Sequence, residues 1–380
     1  MKKSFKIAVT GGGSGGHVMP ALSVIKRLKR YSQEKDIDFS IIYIGSKNGI
    51  EKDLVLKNNI DYFEISTGKL RRYISAKNFT DIFRISKGLF DSLKIFKNAK
   101  PDLLFSTGGF VSVPPVIAAN LKKIPIIIHE QTVDAGLANK IASRFANFVA
   151  LTFEESKKYF PQKKVILTGI PLRDEIFEGE KDKAYLKFNL TKELPTIYFT
   201  GGGLGCHILN QAAMVIIPDL LDKCNVVFQT GNANDGKDYK ELLELKESLS
   251  ADKKKGKFIL YNFITEDLPD ILAVTDLAIA RSGAGTVNEF MALKIPAIFI
   301  PLAIATKQEQ LKNAMIDVKA GGAEIVEEKD LTPIVLLKKI EDILFSKKIK
   351  KMKENLSKIK INNGTDNIIG IIEKILGINI

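Results

Sequence analysis

Two glycine-rich segments are candidate anion-binding loops. Residues 10–17 read Thr-Gly-Gly-Gly-Ser-Gly-Gly-His, and residues 200–207 read Thr-Gly-Gly-Gly-Leu-Gly-Cys-His, each directly after a short apolar run. Glycines let the backbone approach a phosphate closely, and the N–H groups and dipole of a following helix favour an anion. Both segments therefore predict the binding of a phosphorylated ligand.

The first loop also matches the dinucleotide fingerprint at Gly11, Gly13 and Gly16, but this match alone is weak. The fingerprint requires an acid at the end of the second strand, where it binds a ribose. Here the second predicted strand ends Ile-Gly-Ser-Lys at residues 44–47, without an acid. NAD binding is therefore the poorer interpretation. A tight turn with close helix packing explains one such loop easily and two poorly.

A further group of small residues lies in the C-terminal half, where residues 281–289 read Arg-Ser-Gly-Ala-Gly-Thr-Val-Asn-Glu after a predicted strand. Glu289 would lie about one turn inside the following helix, where a carboxylate can accept hydrogen bonds from both hydroxyls of a ribose. Without the preceding loop it would be interpreted as a surface residue. Gln310 and Asn313 are three residues apart and can share a helix face that binds sugar hydroxyls.

Short apolar runs alternate with segments of helical period, which predicts parallel sheets covered by helices on both faces. The predicted strands of the first half are 7–10, 40–44, 103–106 and 126–129, with a helix at 21–31. The predicted strands of the second half are 196–200, 225–229, 258–261, 277–280 and 297–300, with a helix at 209–221.

Both halves open with the same strand, glycine loop and helix. The predicted fold class is therefore α/β, with two Rossmann-like domains and a cleft between them. We place the N-terminal domain at 1–168, the C-terminal domain at 169–361 and the hinge near 168–172. The apolar residues of the tail have helical spacing, so a last helix within 362–380 is expected to pack back on the first domain.

The composition suits a large, well-packed protein, because 45% of the 380 residues are hydrophobic. Cys206 and Cys224 lie in apolar surroundings, so no disulfide framework is implied and a reducing cytosol fits. The longest apolar stretch, at 296–305, falls short of the roughly 20 residues of a membrane span. The start of the chain is too charged for a signal peptide.

The net charge of +13 fits attraction to an anionic surface or a merely lysine-rich solvated surface. Segment 69–100 is more informative, because nine basic residues there stand against two acids. The apolar residues near one helical face of it are Phe79, Ile82, Phe83, Phe90 and Leu93. This pattern predicts peripheral contact with anionic lipid, and a core helix with solvated lysines is the alternative. Nucleic-acid binding is not expected, because basic and aromatic residues do not interleave.

Several motifs occur together in one order: 11–17, Gly-Gly-Phe-Val-Ser at 108–112, His-Glu-Gln at 129–131, Thr-Gly-Ile-Pro-Leu-Arg at 168–173, 201–206, 281–289, and Gln310 with Asn313. This set resembles the MurG family of bacterial peptidoglycan glycosyltransferases over nearly the whole chain. The resemblance implies the GT-B fold and transfer of N-acetylglucosamine, with inversion, from UDP-N-acetylglucosamine to the muramyl 4-hydroxyl of lipid I. The product would be lipid II. No cofactor or metal is implied.

The resemblance also implies roles for individual residues. The nucleotide would be held by Ala284, Gly285, Thr286, Val287, Asn288 and Glu289, with Glu289 on the ribose and the Ile264 backbone on the uracil. Arg173 and Gly203 would face the diphosphate, and Gln310 would bind the sugar. Thr132 would complete the substrate site. The donor would be approached from the other domain by Ser14, Gly15 and Gly16. His17 is the first candidate for the general base and Glu130 the second. The alternative for His17 is a structural bond to a nearby carbonyl.

The sequence departs from the family pattern at Thr132 and Ile170, where Asn is usual. It departs also at Gly203 and Leu204, which replace Ser and Gln, and at Glu309, where Gln or His is common. Expected partners are the two substrates, an anionic membrane at the cytoplasmic face of the cell membrane, and other cell-wall synthesis proteins. The alternative function is another GT-B enzyme, either a glycolipid synthase or a UDP-sugar epimerase.

Overall fold

The computed structural model describes residues 3–68, 76–249, 254–305, 308–360 and 363–378, without the side chains of 76–80. The chain divides into an N-terminal unit, Met1–Arg173 with Asn362–Ile380, and a C-terminal unit, Asp174–Ile361. The boundary lies after Arg173 rather than at the predicted residue 168. Ile170 and Leu172 are buried and bond to the returning tail, which keeps this segment with the N-terminal unit.

The N-terminal unit is built on a parallel sheet in the order β3-β2-β1-β4-β5-β6-β7. Its strands are β1 (Lys3–Thr10), β2 (Ile37–Ser46), β3 (Asp61–Ile65), β4 (Leu103–Ser106), β5 (Ile126–Glu130), β6 (Phe148–Leu151) and β7 (Val165–Leu167). Its helices before the unit boundary are α1 (Gly15–Lys35), α2 (Ile50–Lys57), α3 (Ala76–Ala99), α4 (Val113–Leu121) and α5 (Leu137–Ala142). Short 3-10 helices lie at Phe110–Ser112, Glu154–Tyr159 and Gln162–Lys164.

The C-terminal unit has a second parallel sheet in the order β10-β9-β8-β11-β12-β13. Its strands are β8 (Thr196–Thr200), β9 (Asn225–Gln229), β10 (Phe258–Tyr261), β11 (Leu277–Ala280), β12 (Ala297–Phe299) and β13 (Ala323–Ile325). Its helices are α6 (Lys181–Lys187), α7 (His207–Leu220), α8 (Lys237–Leu249), α9 (Leu268–Val274), α10 (Ala284–Leu293), α11 (Glu309–Lys319), α12 (Pro333–Leu344) and α13 (Lys348–Ser357). Short 3-10 helices lie at Asp174–Phe177, Ala233–Gly236 and Glu328–Asp330.

Each sheet reverses its strand order at one place, between β1 and β4 in the N-terminal unit and between β8 and β11 in the C-terminal unit. Ligands of such sheets bind beyond the carboxyl ends of the strands at this switch point. The predicted α/β class with two Rossmann-like domains is therefore confirmed, and both glycine loops follow a switch-point strand.

The central strands form because their apolar runs are buried on both faces, as expected for parallel sheets. Ile7, Ala8 and Val9 of β1 are fully buried, as are the residues of β4. The structure adds strands that the sequence did not predict, namely β3, β6, β7 and β13. Several of these are short, and β3 and β7 carry exposed side chains, which weakens their apolar pattern.

A final helix, α14 (Gly364–Leu376), packs against α1 of the N-terminal unit. Ile368, Ile369 and Ile372 are buried in the same apolar core as the inner face of α1. On the polar side, the Arg27 guanidinium lies 2.8 Å from the Asp366 carboxylate. The tail therefore completes the core of the N-terminal unit. None of the described helices is long and apolar enough to cross a membrane.

One charged group of the C-terminal unit is buried without compensation. Asp317 on α11 is fully buried, and neither of its carboxylate oxygens has a hydrogen-bond partner among the described residues. Burial raises the pKa of Asp317 to about 7, whereas the pKa of an Asp in an unfolded chain is about 3.9. The folded protein therefore holds this proton more tightly than the unfolded chain.

We expect the free energy of unfolding to fall as pH rises from about 4 to about 7, because the folded state must then ionise a buried carboxyl. Asp317→Asn should remove this dependence and be more stable than the wild type at pH 8, by on the order of a few kcal/mol. Urea unfolding at pH 5 and pH 8 measures both effects, with the exposed Glu244→Gln as control. Equal pH dependence in wild type and Asp317→Asn would contradict the assignment.

Candidate functional site

The first glycine loop lies against the loop that follows β4. The Thr107 N–H donates to the Thr10 carbonyl (3.0 Å), and the Gly12 N–H donates to the Gly108 carbonyl (3.3 Å). A Cβ at Gly11 would lie 1.9 Å from Thr107 Oγ1, so only glycine fits there. The two loops form one surface at the switch point.

A carboxylate that the sequence analysis missed fills the space beside this loop. Glu51 at the start of α2 is fully buried and accepts hydrogen bonds from the Ser46 N–H and hydroxyl and from the Gly13 N–H (3.2 Å). The dinucleotide fingerprint requires an acid at the end of β2. Glu51 lies five residues after that end, but it binds the protein's own backbone at Ser46 and Gly13. A phosphate at Gly13 would meet this negative charge, which argues further against NAD binding.

His17 lies in the first turn of α1, partly exposed. Its Nδ1 lies 2.8 Å from the Thr107 carbonyl oxygen. Since a carbonyl only accepts, Nδ1 is the protonated nitrogen, and Nε2 of the neutral ring keeps its lone pair. The structural bond considered in the sequence analysis is therefore present, and it leaves the other nitrogen able to accept a proton.

Glu130 ends β5 and is buried, with both carboxylate oxygens engaged. Oε1 accepts from the Thr132 N–H (3.1 Å) and hydroxyl (2.9 Å), and Oε2 accepts from the Gly136 N–H (3.0 Å) and Asn139 Nδ2 (3.1 Å). These four bonds fold the segment between β5 and α5. Glu130 is thus held as an acceptor within its own loop, and Thr132 is part of the same network, so the geometry favours His17 over Glu130 as a base.

The neighbours of Glu130 are also fixed by the backbone. His129 is fully buried with Nε2 3.1 Å from the Gly169 carbonyl, and burial lowers the pKa of His129 to about 4. His129 is therefore a strand-end residue bonded to backbone. Gln131 Nε2 donates to the Thr107 carbonyl (2.7 Å), which also accepts the hydrogen bond from His17 Nδ1.

A cavity of about 240 Å³ opens beside His17 in the N-terminal unit. Its lining includes His17, Glu130, the Phe110 ring, Val113 and residues 136–139. The apolar walls and the polar side chains of His17, Glu130 and Asn139 suit a small organic ligand with a few polar contacts. The cavity brings His17 and Glu130 together, with Ser14, Gly15 and Gly16 just before His17 in the loop.

In the C-terminal unit, the second glycine loop is more open. Among the described residues, no atom lies within 4 Å of a Cβ built at Gly202, and at Gly203 the nearest is the Phe263 ring, at 3.4 Å. Leu204 and Phe263 are exposed. The Gly202 N–H donates to Thr200 Oγ1 (3.0 Å) and the Gly205 N–H to the Gly202 carbonyl (3.1 Å), so the open face of this loop lies at Gly203 and Leu204.

Gln229 joins this loop to the segment expected to meet a base. Its Oε1 accepts from the Ile264 N–H (2.9 Å), and its Nε2 donates to Thr200 Oγ1 (3.1 Å). Ile264 therefore has its N–H occupied, and its carbonyl is the backbone group left for a ligand. The signal for Gln229 was a polar residue ending an apolar strand, which the sequence analysis did not use.

The N-terminus of α10 is also open to a ligand. Gly283 and Gly285 have no described atom within 4 Å of a Cβ position. Behind them, the buried Ser282 hydroxyl donates to the Gln310 carbonyl (2.8 Å). The Gln310 Oε1 accepts from the Leu302 N–H (3.1 Å), which leaves its Nε2 to donate to a ligand. The α10 terminus and Gln310 thus form one local site.

Of the other residues predicted on α10, Val287 and Asn288 are buried, and Asn288 Nδ2 donates to the Ala284 carbonyl (2.8 Å). Thr286 and Glu289 are partly exposed. Val287 therefore reaches a ligand only through its backbone, whereas Glu289 has an accessible side chain. Arg173 is the last residue of the N-terminal unit before the chain enters the C-terminal unit, and it is partly exposed.

An ion pair absent from the sequence analysis supports the loop after β12. Arg281 pairs with Glu328 and donates from Nη1 to the Ile300 carbonyl (3.0 Å), while the Ala303 N–H donates to Glu328 Oε2 (2.9 Å). The loop so held carries Leu302, which binds Gln310. Elsewhere in this unit, His207 Nδ1 lies 2.8 Å from the buried Asp238 carboxylate.

The chain matches two protein-family models. Residues 7–151 match the model of the glycosyltransferase family 28 N-terminal domain, and residues 196–368 match that of the glycosyltransferase family 28 C-terminal domain. Each matched range contains one glycine loop, and the second range extends into the tail that belongs to the N-terminal unit.

Among curated proteins, the chain is 42% identical over 373 residues to the UDP-N-acetylglucosamine–N-acetylmuramyl-(pentapeptide) pyrophosphoryl-undecaprenol N-acetylglucosamine transferase of Clostridium perfringens, covering 98% of this chain and 99% of the relative. A protein of the same name from Clostridium novyi is 40% identical, covering 97% and 98%.

Among solved structures, the chain is similar to MurG of Acinetobacter baumannii, with a TM-score of 0.74, 26% identity, and coverage of 97% of this chain and 99% of that one. A UDP-GlcNAc 2-epimerase from Neisseria meningitidis bound to UDP-GlcNAc has a TM-score of 0.66 at 16% identity, with both chains fully covered. The second likeness concerns the fold alone.

Proposed function

The chain belongs to glycosyltransferase family 28, and we propose that it transfers N-acetylglucosamine from UDP-N-acetylglucosamine to the muramyl 4-hydroxyl of lipid I, giving lipid II for peptidoglycan. The observation that carries this proposal is 42% identity, over 98% of the chain, to a transferase of that name. The open loops of the C-terminal unit and the cavity at His17 in the N-terminal unit supply one site for each substrate.

The C-terminal unit is assigned the donor. The open N-terminus of α10 and the open loop at Gly203 offer N–H groups and a helix dipole to the diphosphate, the charge that develops as UDP leaves. Arg173 is proposed to add a positive charge. Glu289 would accept the ribose hydroxyls, the Ile264 carbonyl would accept the uracil N–H, and Gln310 Nε2 would donate to a sugar hydroxyl.

The N-terminal unit is assigned the acceptor. With Nδ1 donating to Thr107, the neutral His17 accepts the proton of the 4-hydroxyl at Nε2 while the hydroxyl oxygen attacks the anomeric carbon. The bond from that carbon to the β-phosphate oxygen breaks, and its electron pair leaves with UDP. Attack from the face opposite the diphosphate inverts the anomeric centre.

Incubation with UDP-N-acetylglucosamine and a lipid I analogue should give one disaccharide lipid and one UDP per turnover, measured by mass spectrometry and a UDP assay. UDP-N-acetylgalactosamine is the matched donor control and should react far more slowly. An epimerised sugar released without any acceptor product would instead establish an epimerase.

His17→Ala should lower kcat by roughly 10²–10⁴-fold with little change in the affinity for UDP. His17→Asn separates the two roles of the ring, since its amide can still donate to the Thr107 carbonyl but cannot act as a base. We expect both variants to be equally impaired in steady-state assays. Recovery of turnover in His17→Asn would show that the ring acts only by fixing the loop.

We further propose that α3 holds the enzyme on the cytoplasmic face of the membrane. Phe83 and Phe90 are seven residues apart, on one helix face, with 65% and 70% of their surfaces exposed. The exposed cations on the same helix include Arg84, Lys87 and Lys94. Apolar insertion with lysines at anionic head groups fits this face. The basic residues at 69, 71 and 72 and the side chains of Lys77 and Phe79 lie outside the described part of the chain.

Phe83→Ser/Phe90→Ser should lose most binding to vesicles that contain anionic lipid, because it removes the inserting side chains. The control is Leu186→Ser, which removes an equally exposed apolar residue of the C-terminal unit. Vesicle sedimentation at low and high salt measures both the apolar insertion and the electrostatic attraction. Wild-type binding that does not depend on salt or on anionic lipid would contradict the electrostatic part.

Other cell-wall synthesis proteins stay predicted partners.

A further inference from the structure

A second cavity of the N-terminal unit, of about 800 Å³, lies next to the one at His17. The Phe110 ring lines both. Lys47, Arg84 and Lys87 line the larger cavity together with the acids Glu64 and Asp91. No role assigned above to the acceptor or the donor uses this space.

The two acids of this cavity are already engaged. The Glu64 carboxylate lies 2.7 Å from Lys52 Nζ, and this hydrogen bond holds the pKa of Glu64 below its ordinary value. Asp91 Oδ2 accepts the Ser66 N–H (3.0 Å). Their charges are therefore partly compensated by groups outside the cavity or by the backbone.

The three cations are more available. Lys47 and Lys87 are exposed and form no ion pair with a described residue. Among the described residues, the Arg84 guanidinium has one ion pair, from Nη1 to the Asp81 carboxylate at 3.6 Å. Guanidinium and ammonium groups converging on one space are suited to a phosphate or diphosphate.

The neighbouring glycine loop cannot take the same role easily. Its Gly13 N–H already donates to the buried Glu51 carboxylate (3.2 Å). A diphosphate placed there would meet that charge, whereas one placed between α3 and the segment after β2 would meet Lys47, Arg84 and Lys87. Gly13 also lines this cavity, so within it we place the diphosphate against the three cations rather than against Gly13.

We propose that this larger cavity binds the diphosphate of the lipid-linked acceptor, an inference that rests on the proposed function. The order of features on the unit matches the order of groups in the acceptor. The His17 cavity takes the sugar, the cavity beyond Phe110 takes the diphosphate, and Phe83 and Phe90 meet the lipid. Arg84 and Lys87 lie between these two phenylalanines in the sequence of α3.

The decisive variant is Arg84→Gln/Lys87→Gln, assayed with a short-chain, water-soluble lipid I analogue so that membrane binding plays no part. We expect the acceptor KM to rise about tenfold or more, because charge-assisted hydrogen bonds are lost, with kcat and the donor KM little changed. The control Lys57→Gln/Lys122→Gln removes the same charge from exposed sites of this unit that do not line the cavity. An unchanged acceptor KM, or the same rise in the control, would overturn the proposal.

A binding measurement keeps this proposal separate from the transferase activity. Titration calorimetry with a short-chain prenyl diphosphate should show binding to the wild type and the control and at least tenfold weaker binding to Arg84→Gln/Lys87→Gln. Inorganic phosphate and glycerol phosphate, which represent a free ion and a phospholipid headgroup, should compete poorly. Equal competition by either would overturn the assignment to a diphosphate. A wild type that binds prenyl diphosphate but forms no disaccharide lipid would refute the proposed function alone.

Discussion

The pairing of β1 with β4 is the constraint on which the N-terminal site depends. It brings Thr107 beside the first glycine loop, where its carbonyl receives both His17 Nδ1 and Gln131 Nε2. The Thr107 side chain in turn donates to the His17 carbonyl (2.7 Å). One residue therefore fixes the tautomer of His17, the start of α1 and the end of β5. Without the strand order reversal, these groups would lie on different parts of the sheet.

Much of this could be predicted from the sequence, because the informative signals are local. The bounds predicted for β4, β8, β9, β10 and β11 agree with the structure, since fully apolar runs between turn residues specify buried parallel strands. The glycine loops and the segment at 281–289 follow such strands, so their placement at the switch points follows from the repeated pattern. The resemblance of the ordered motifs then gave the family.

The interactions that could not be predicted are polar and join residues far apart in the sequence. Glu51 reaches Gly13 across 38 residues, Gln229 reaches Ile264 across 35, and Glu328 reaches Arg281 across 47. No periodicity distinguishes these side chains from surface residues, since what they bind is brought to them by the tertiary fold. The bonds of Glu130 to residues 132, 136 and 139 are of the same kind, and its role as second candidate base stays a prediction.

The two glycine loops show how one local motif takes two electrostatic roles. In the first loop, a Cβ at Gly11, Gly12 or Gly13 would collide with Thr107, Glu51 or Phe110, so the chain itself fills the space and supplies the anion. In the second loop, Gly202 faces open space and Gly203 meets only an exposed ring. A helix N-terminus attracts a negative charge in both cases. In the first loop the Gly13 N–H is already occupied by Glu51, whereas the surface at Gly202 and Gly203 is open. This difference supports the proposal that the nucleotide diphosphate binds to the C-terminal unit.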